Sequence, residues 1–269
     1  MDKPMKTFLM CDPKYFEVSY VINPWMAGNQ GRENKELAEK QWKNLHDILS
    51  SKASIRLIEP VAGLPDMVFT ANGGFVCRDH EVIVSSFRYL ERQAESPYFS
   101  KFFENSGYRI RRLNSDIKFE GAGDALYDSN GRVWIGYGHR SDVQALDEIT
   151  TILHTQVNGL TLVDPRWYHL DTAFCPLANG YAIAYQKAFT PQSVNKIKHE
   201  FNDRIIWVSD QDANNFACNA VNIGNDIILN KASDELKAAL SKHNFSIIEV
   251  DVSEFIKAGG ACKCLTLEL

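Results

Sequence analysis

The feature that most narrows what this chain can fold into is a degenerate repeat. Hairpin-type turns at His80, Asn130, Asn179 and Asn225 follow one another at intervals of 50, 49 and 46 residues, the period expected of stacked or radial repeats. In the first unit, strands over 74–77 and 82–84 flank the turn Arg78-Asp79-His80, a helix spans about 92–105, and a strand covers 109–111. The second has strands at 125–127 and 133–135 around Ser129-Asn130-Gly131, a helix opening at the cap-like Ser141-Asp142, and a strand at 160–163. The third runs through 173–175 and 181–184 around Asn179-Gly180, a helix from Pro191, and a strand at 205–207. The fourth repeats the order with 220–223, Gly224-Asn225, 227–229, a helix at 233–241 and Ile247-Ile248. Each unit reads strand, strand, helix, strand, since short β-branched runs bounded by turn residues alternate with segments of helical periodicity.

The chain ends on one leading strand, 264–267, with no unit after it. The missing pieces stand at the other end: a strand at 7–9, a helix over 34–50 carrying Leu37, Trp42, Leu45, Ile48 and Leu49 at helical spacing, and a strand at 55–58. The two termini are therefore expected to complete a fifth unit and close a ring. A radial array of such ββαβ units, a five-bladed α/β propeller with pseudo-fivefold symmetry, protects sheet edges and brings the leading strands to a shared axis. The alternative is an open α/β sheet. A dinucleotide-binding version of it is disfavoured, because Gly121-Ala122-Gly123 lacks the third glycine and runs into a strand rather than a helix.

Composition bounds the rest. With 269 residues and 45% hydrophobic content the chain can bury a full core, read here as a single domain over 1–269. The net charge of -5 and the scattering of the 29 basic residues exclude a phosphate-tracking stripe, so nucleic acid is not an expected partner. No apolar run approaches the ~20 residues of a membrane span, and the start, Met1 to Lys6, is too short of apolar residues for a signal peptide. No export is expected. Six cysteines in such a chain read as reduced thiols of a cytoplasmic protein. The close pair Cys262-Lys263-Cys264 has no answering ligand pair, so no metal site is expected.

Polar clusters fall just before the leading strands: Asp66 to Asn72, Glu120 to Asp124, His169 to Asp171, and Cys262 to Cys264. On a common axis they would gather carboxylates, an amide, an imidazole and a thiol, the set needed for thiol attack on a cationic carbon. Each has a bland alternative. Cys77, Cys175 and Cys218 lie inside apolar strands and read as small buried hydrophobes. Cys264 differs: it follows Gly259-Gly260 and is expected to open a strand. His169 and Asp171, two apart, would share one face if that segment were a strand, although a core histidine is an equal reading. Glu120, Asp124 and Asp66 could be turn or cap residues.

The segments 64–72 (LPDMVFTAN), 119–124 (FEGAGD), 169–172 (HLDT) and Gly259-Gly260 through Cys264-Leu265-Thr266 resemble the guanidine-modifying enzyme superfamily, in the family's order. That superfamily includes arginine deiminases, dimethylarginine dimethylaminohydrolases, amidinotransferases and arginine dihydrolases. The resemblance implies the five-bladed propeller (pentein) fold and catalysis without metal or organic cofactor. It implies Cys264 as nucleophile, His169 as general acid and base, and Glu120 as the carboxylate that orients His169 and holds the guanidinium. Asp171 and Asp66 match further substrate carboxylates. Arg140 resembles the arginine that grips the substrate α-carboxylate, with Arg88 or Arg92 assisting. Asn23, in a 23–33 segment of little periodicity, is a candidate lid or substrate contact.

One departure sharpens the substrate. Deiminases and dimethylarginine hydrolases generally carry Asp where this chain has Asn72, whereas dihydrolases resemble it in reading Thr-Ala-Asn, and the segment 20–26 (YVINPWM) is also similar to theirs. The expected reaction is therefore double hydrolysis of arginine to ornithine, carbon dioxide and two ammonia. Methylarginine hydrolysis and single-step deimination are the enzymatic alternatives. A ribosome anti-association factor of the same fold is the non-enzymatic one, and it lacks this Cys, His and carboxylate set. The expected partner is a small molecule, with self-association left open.

Overall fold

The computed structural model describes residues 5–77 and 80–269. The start of the chain through Pro4, and Arg78 and Asp79 of the first expected turn, lie outside the described residues. The architecture is α/β, with five three-stranded sheets among the described residues. Strand β1 (Thr7–Cys11) pairs in parallel with β2 (Ser54–Ile58), and α1 (Lys35–Ser50) makes the crossover between them.

The four following sheets repeat one plan. They are β3 (Gly74–Cys77), β4 (Glu81–Val84) and β5 (Arg109–Arg111), with α2 (Ser96–Asn105); then β6 (Ala125–Tyr127), β7 (Val133–Tyr137) and β8 (Val157–Thr161), with α3 (Ala145–Leu153). Next come β9 (Phe174–Pro176), β10 (Ala182–Ala184) and β11 (Ile205–Trp207), with α4 (Pro191–Phe201). Last are β12 (Val221–Ile223), β13 (Asp226–Leu229) and β14 (Ser246–Glu249), with α5 (Asp234–Ser241).

In each, the first strand runs antiparallel to the second and the second parallel to the third. The chemistry of the connections explains this: a tight turn can only reverse the chain, and a parallel return needs a crossover long enough for a helix. Helices α1, α4 and α5 start where capping side chains stand: Asn34, Thr190 and Ser233 accept the amides of Leu37, Ser193 and Leu236. β15 (Leu267–Glu268) pairs antiparallel with β1, Leu9 opposite Leu267, so the two ends of the chain share one sheet as expected.

Three local expectations are corrected. The second-unit helix begins at Ala145 rather than Ser141, because the Ser141 hydroxyl is committed to Asp124 Oδ2 at 2.6 Å and the Asp142 carboxylate to the Lys118 amide at 2.8 Å. Cys264 does not open a strand. It lies in a turn closed by the Leu265 amide on the Ala261 carbonyl and the Thr266 amide on the Lys263 carbonyl, and pairing starts only at Leu267. His169 is likewise not in a strand but caps the short helix Leu170–Ala173, so its side chain and that of Asp171 diverge to different neighbours.

Such a turn precedes the first strand of every sheet: Thr70–Gly73 before β3, Gly121–Gly123 before β6, Leu170–Ala173 before β9, and the turns ending at Asn219 and at Thr266 before β12 and β15. A cavity of about 1000 Å³ is lined by residues of all five first strands, among them Phe75, Leu126, Cys175, Val221 and Leu267. Cys77 and Cys175 are buried, disulfide-free residues of β3 and β9, as read from their apolar context, whereas Cys218 is equally buried but lies in the turn before β12 rather than inside a strand. Among the described residues no helix is long and apolar enough to cross a membrane.

Candidate active site

The turns before the first strands carry Asn72, Glu120, His169, Asp171 and Cys264, and the neighbouring turn Pro65–Val68 carries Asp66; each of these six is at most 2% exposed. Burying so many polar groups is costly unless each finds a partner, and here the partners define two sets.

The first set centres on Glu120. Its Oε2 accepts from His169 Nε2 at 2.8 Å and from Arg140 Nη1 at 2.8 Å, and its Oε1 from the Arg88 amide at 3.1 Å. Burial alone would raise this carboxyl, but Arg140, His169 and Arg92 outweigh it and hold the group ionised, well below the usual carboxylate range. Arg140 is clamped between the rings of Tyr89 and Tyr168, 4.7 and 4.5 Å from their centroids, and its Nη2 donates to the Ile22 carbonyl at 3.0 Å. Asp124 braces the same set, accepting from Ser141 Oγ and, at 3.0 Å, from the Leu170 amide beside His169.

Burial and the nearby arginines push His169 down to about 4, although Glu120 pulls the other way. The ring is thus neutral near pH 7. An ionised Glu120 can only accept, so the proton sits on Nε2 and the lone pair on Nδ1. Nδ1 faces Asn72 Nδ2 at 3.5 Å. The orientation of that amide is set from behind: Arg92 Nη1 donates to Asn72 Oδ1 at 2.8 Å, and a guanidinium has no acceptor to offer an NH₂. Arg92 is in turn held bidentately by Glu95 at 2.8 Å on both bonds.

The second set centres on Cys264. Its Sγ lies 3.6 and 3.7 Å from the two Asp171 oxygens, within reach for the thiol to donate, and accepts from Asn219 Nδ2 at 3.1 Å. Burial, then the Asp171 charge, raises the thiol well above its ordinary value, with the Ala261 backbone, Asn219 and Lys263 pulling down. Burial likewise pushes Asp171 up to about 7, against the pull of Lys263, Cys264 and Asn219.

Asp66 adjoins the first set. Its Oδ2 accepts from Tyr20 at 2.9 Å and lies 3.8 Å from Arg92 Nε, while its buried Oδ1 has no hydrogen-bond partner among the described residues, an acceptor left open for a ligand donor. The Asn23 amide is used on the Trp25 and Met26 amides and the Ala258 carbonyl, so it pins the segment 20–26. Trp25 helps, donating to the Arg166 carbonyl and stacking on Trp167 at 5.4 Å. Arg88 is the most exposed of the three arginines and pairs with Asp142.

Asn219 was not among the sequence candidates. The signal was available in the repeat, because the unit containing β12 was the one left without a polar cluster before its leading strand, and Asn219 stands there. Among the described residues no group of three or more His, Cys, Asp or Glu is placed to hold a metal.

A thiol, an imidazole with its lone pair exposed inward, and convergent carboxylates can bind a planar cation and attack its carbon. The family profile described as "N,N dimethylarginine dimethylhydrolase, eukaryotic" matches residues 12–269. The bifunctional arginine dihydrolase/ornithine cyclodeaminase AgrE of Nostoc sp. is 47% identical over 264 residues, 97% of this chain and 37% of that protein. This chain thus spans little more than a third of that relative. The N(G),N(G)-dimethylarginine dimethylaminohydrolase of Mycobacterium tuberculosis is 40% identical, covering 98% of this chain and 86% of that one. A solved cysteine-to-serine variant of the N-terminal domain of ArgZ, an arginine dihydrolase from the ornithine-ammonia cycle in cyanobacteria, is bound to substrate; it matches with a TM-score of 0.96 and 46% identity over 98% of this chain and 97% of that one.

Proposed function

The chain belongs to the N,N-dimethylarginine dimethylhydrolase family of guanidine-modifying enzymes, and on that premise we propose that it is an arginine dihydrolase. It would convert arginine and two waters to ornithine, carbon dioxide and two ammonia within one catalytic domain over residues 1–269, in the cytoplasm, without a cofactor. The domain is read as a five-bladed propeller, supported by the single cavity that touches the first strand of all five sheets and by the sheet shared between the chain ends.

In this reading the guanidinium enters between Glu120, Asp171 and the unpaired Oδ1 of Asp66. Its positive charge offsets the raised proton affinity of Cys264, so the thiolate forms when substrate is present. The Cys264 proton passes to His169 Nδ1 as sulfur adds to the guanidinium carbon, that nitrogen gives it to the departing ammonia, and the same nitrogen then takes a proton from the water that cleaves the amidino-thioether and returns it to the leaving sulfur. The first cycle gives citrulline and the second, on its ureido carbon, gives ornithine. Arg140 would hold the α-carboxylate by exchanging the neutral Ile22 carbonyl for a charged partner as the segment 20–26 opens. Arg88 is the assisting cation.

The observation that carries the dihydrolase reading is the fixed orientation of Asn72. With Oδ1 tied to Arg92, its NH₂ faces the inward nitrogen of His169, where it can donate to a ureido oxygen that an aspartate would repel. Incubation with arginine and identification of the amino acid formed tests it: ornithine is expected, and citrulline as sole end product would leave a deiminase. Methylarginine hydrolysis is the second reading, favoured by the family profile; competition by dimethylarginine, with release of dimethylamine, would support it.

A further inference from the structure

Asn219 is completely buried, just before β12. Its Oδ1 accepts two backbone amides, from Ala261 and from Cys264, each at 3.1 Å. Backbone amides can only donate, so the amide orientation is determined and the NH₂ must face the other way. One of its hydrogens goes to the Asp171 carbonyl at 3.0 Å and the other to Cys264 Sγ at 3.1 Å. One planar side chain therefore grips the cysteine at both its backbone nitrogen and its sulfur, and ties it to the residue whose carboxylate lies beside that sulfur. It also stands shortly before the first strand of its unit, as Asn72, Glu120, His169 and Cys264 do in theirs.

From this geometry we infer that Asn219 is the positioning residue of the nucleophile, its N–H fixing the direction of Sγ and stabilising the thiolate over the thiol. The inference deepens the proposed function and rests on Cys264 being the attacking group. Sulfur is a weak acceptor as a thiol and a strong one as an anion, so a donor held at 3.1 Å favours the charged form. The neighbouring Asp171 works against ionisation, and among the groups facing Sγ the Asn219 amide is the side-chain donor opposing it.

The test is the pH dependence of Cys264 alkylation by iodoacetamide, resolved by mass spectrometry of the Cys264 peptide and run without substrate, in wild type, N219D and N219A. The aspartate keeps an acceptor for the two backbone amides, which hold it ionised, but loses the donor to sulfur. N219D is expected to fold, to shift the alkylation inflection upward by about one pH unit or more, and to lose kcat with arginine on the order of 10²-fold while KM changes little. Because the added carboxylate would raise the thiol by its charge alone, N219A decides: losing the donor without adding a charge is expected to shift the inflection upward as well, whereas a purely structural amide predicts a folded N219A with the wild-type inflection. That result, or loss of fold in both variants, overturns the inference. Because alkylation needs no turnover, a shifted N219A profile in an enzyme that leaves arginine untouched would sink the proposed substrate and leave this role standing.

Discussion

The half of the site around Glu120 and the half around Cys264 are equally buried yet held by different forces. Around Glu120, full charges are paired: a depressed carboxylate, an arginine between two tyrosine rings, and an imidazole whose tautomer that carboxylate dictates. Around Cys264 the bonds come from an amide and backbone groups, and both Cys264 and Asp171 are pushed toward their neutral forms. The contrast teaches that only one half is electrostatically complete before substrate arrives. The other is short of one positive charge, which the guanidinium of the proposed substrate would supply.

The largest effect that should separate the halves is on rate. Cys264→Ala should abolish turnover by on the order of 10⁴-fold or more while leaving the melting temperature nearly unchanged, because the thiol makes no ion pair the fold depends on. A strongly destabilised variant would erase the distinction. Glu120→Gln should hurt both: kcat lower by about 10²- to 10⁴-fold as the His169 tautomer is released, and stability lower by about 3–5 kcal/mol because Arg140 loses its buried counter-charge. Urea denaturation alongside steady-state rates reads both. Asn72→Asp should then change the product rather than the first step, so that citrulline accumulates roughly tenfold over wild type in a time course of amino-acid analysis.

A smaller, signed test lies in the pH dependence of stability. His169 titrates near 4 in the folded chain against 6.5 ordinarily. The unfolded chain therefore takes up the proton first, and the His169 half loses stability as pH falls from about 6.5 towards 4. Asp171 is raised from 3.8 to about 7. Here the folded chain holds the proton longer, so its contribution is full in acid and is lost as pH rises through about 7. Relative to wild type, His169→Asn should flatten the acid-side loss and Asp171→Asn the loss between about 4 and 7. The difference between the urea midpoints at about pH 7 and about pH 5 should shrink in His169→Asn and grow in Asp171→Asn, and a change of the same sign in both would break the comparison.

Much of this was legible beforehand, and the particular successes and misses have physical reasons. The turns at Asn130, Asn179 and Asn225, the helices α1, α4 and α5, and the sheet joining the chain ends were visible because hydrophobic period and turn chemistry are local. The polar clusters were visible because charged residues in apolar surroundings need an explanation. The cap-like Ser141 misled because its hydroxyl answers to Asp124, a partner in another part of the unit. The shared face expected for His169 and Asp171 failed because a single helical turn intervenes. Asn219 was missed for a similar reason: an asparagine before a strand is an unremarkable turn residue until its four long-range bonds are seen.

The pairing of β15 with β1 has a consequence for engineering. The seam between the chain ends is closed there by strand contacts, by the Leu269 amide on the Thr7 carbonyl at 2.8 Å and by the Lys6–Glu268 ion pair at 2.8 Å. Joining the ends through a short flexible linker and reopening the chain at the exposed hairpin tip near Asn130 would move the seam to another sheet. Such a circular permutant should keep every residue of the site in place, with the backbone path from Cys264 through β15 to β1 made continuous.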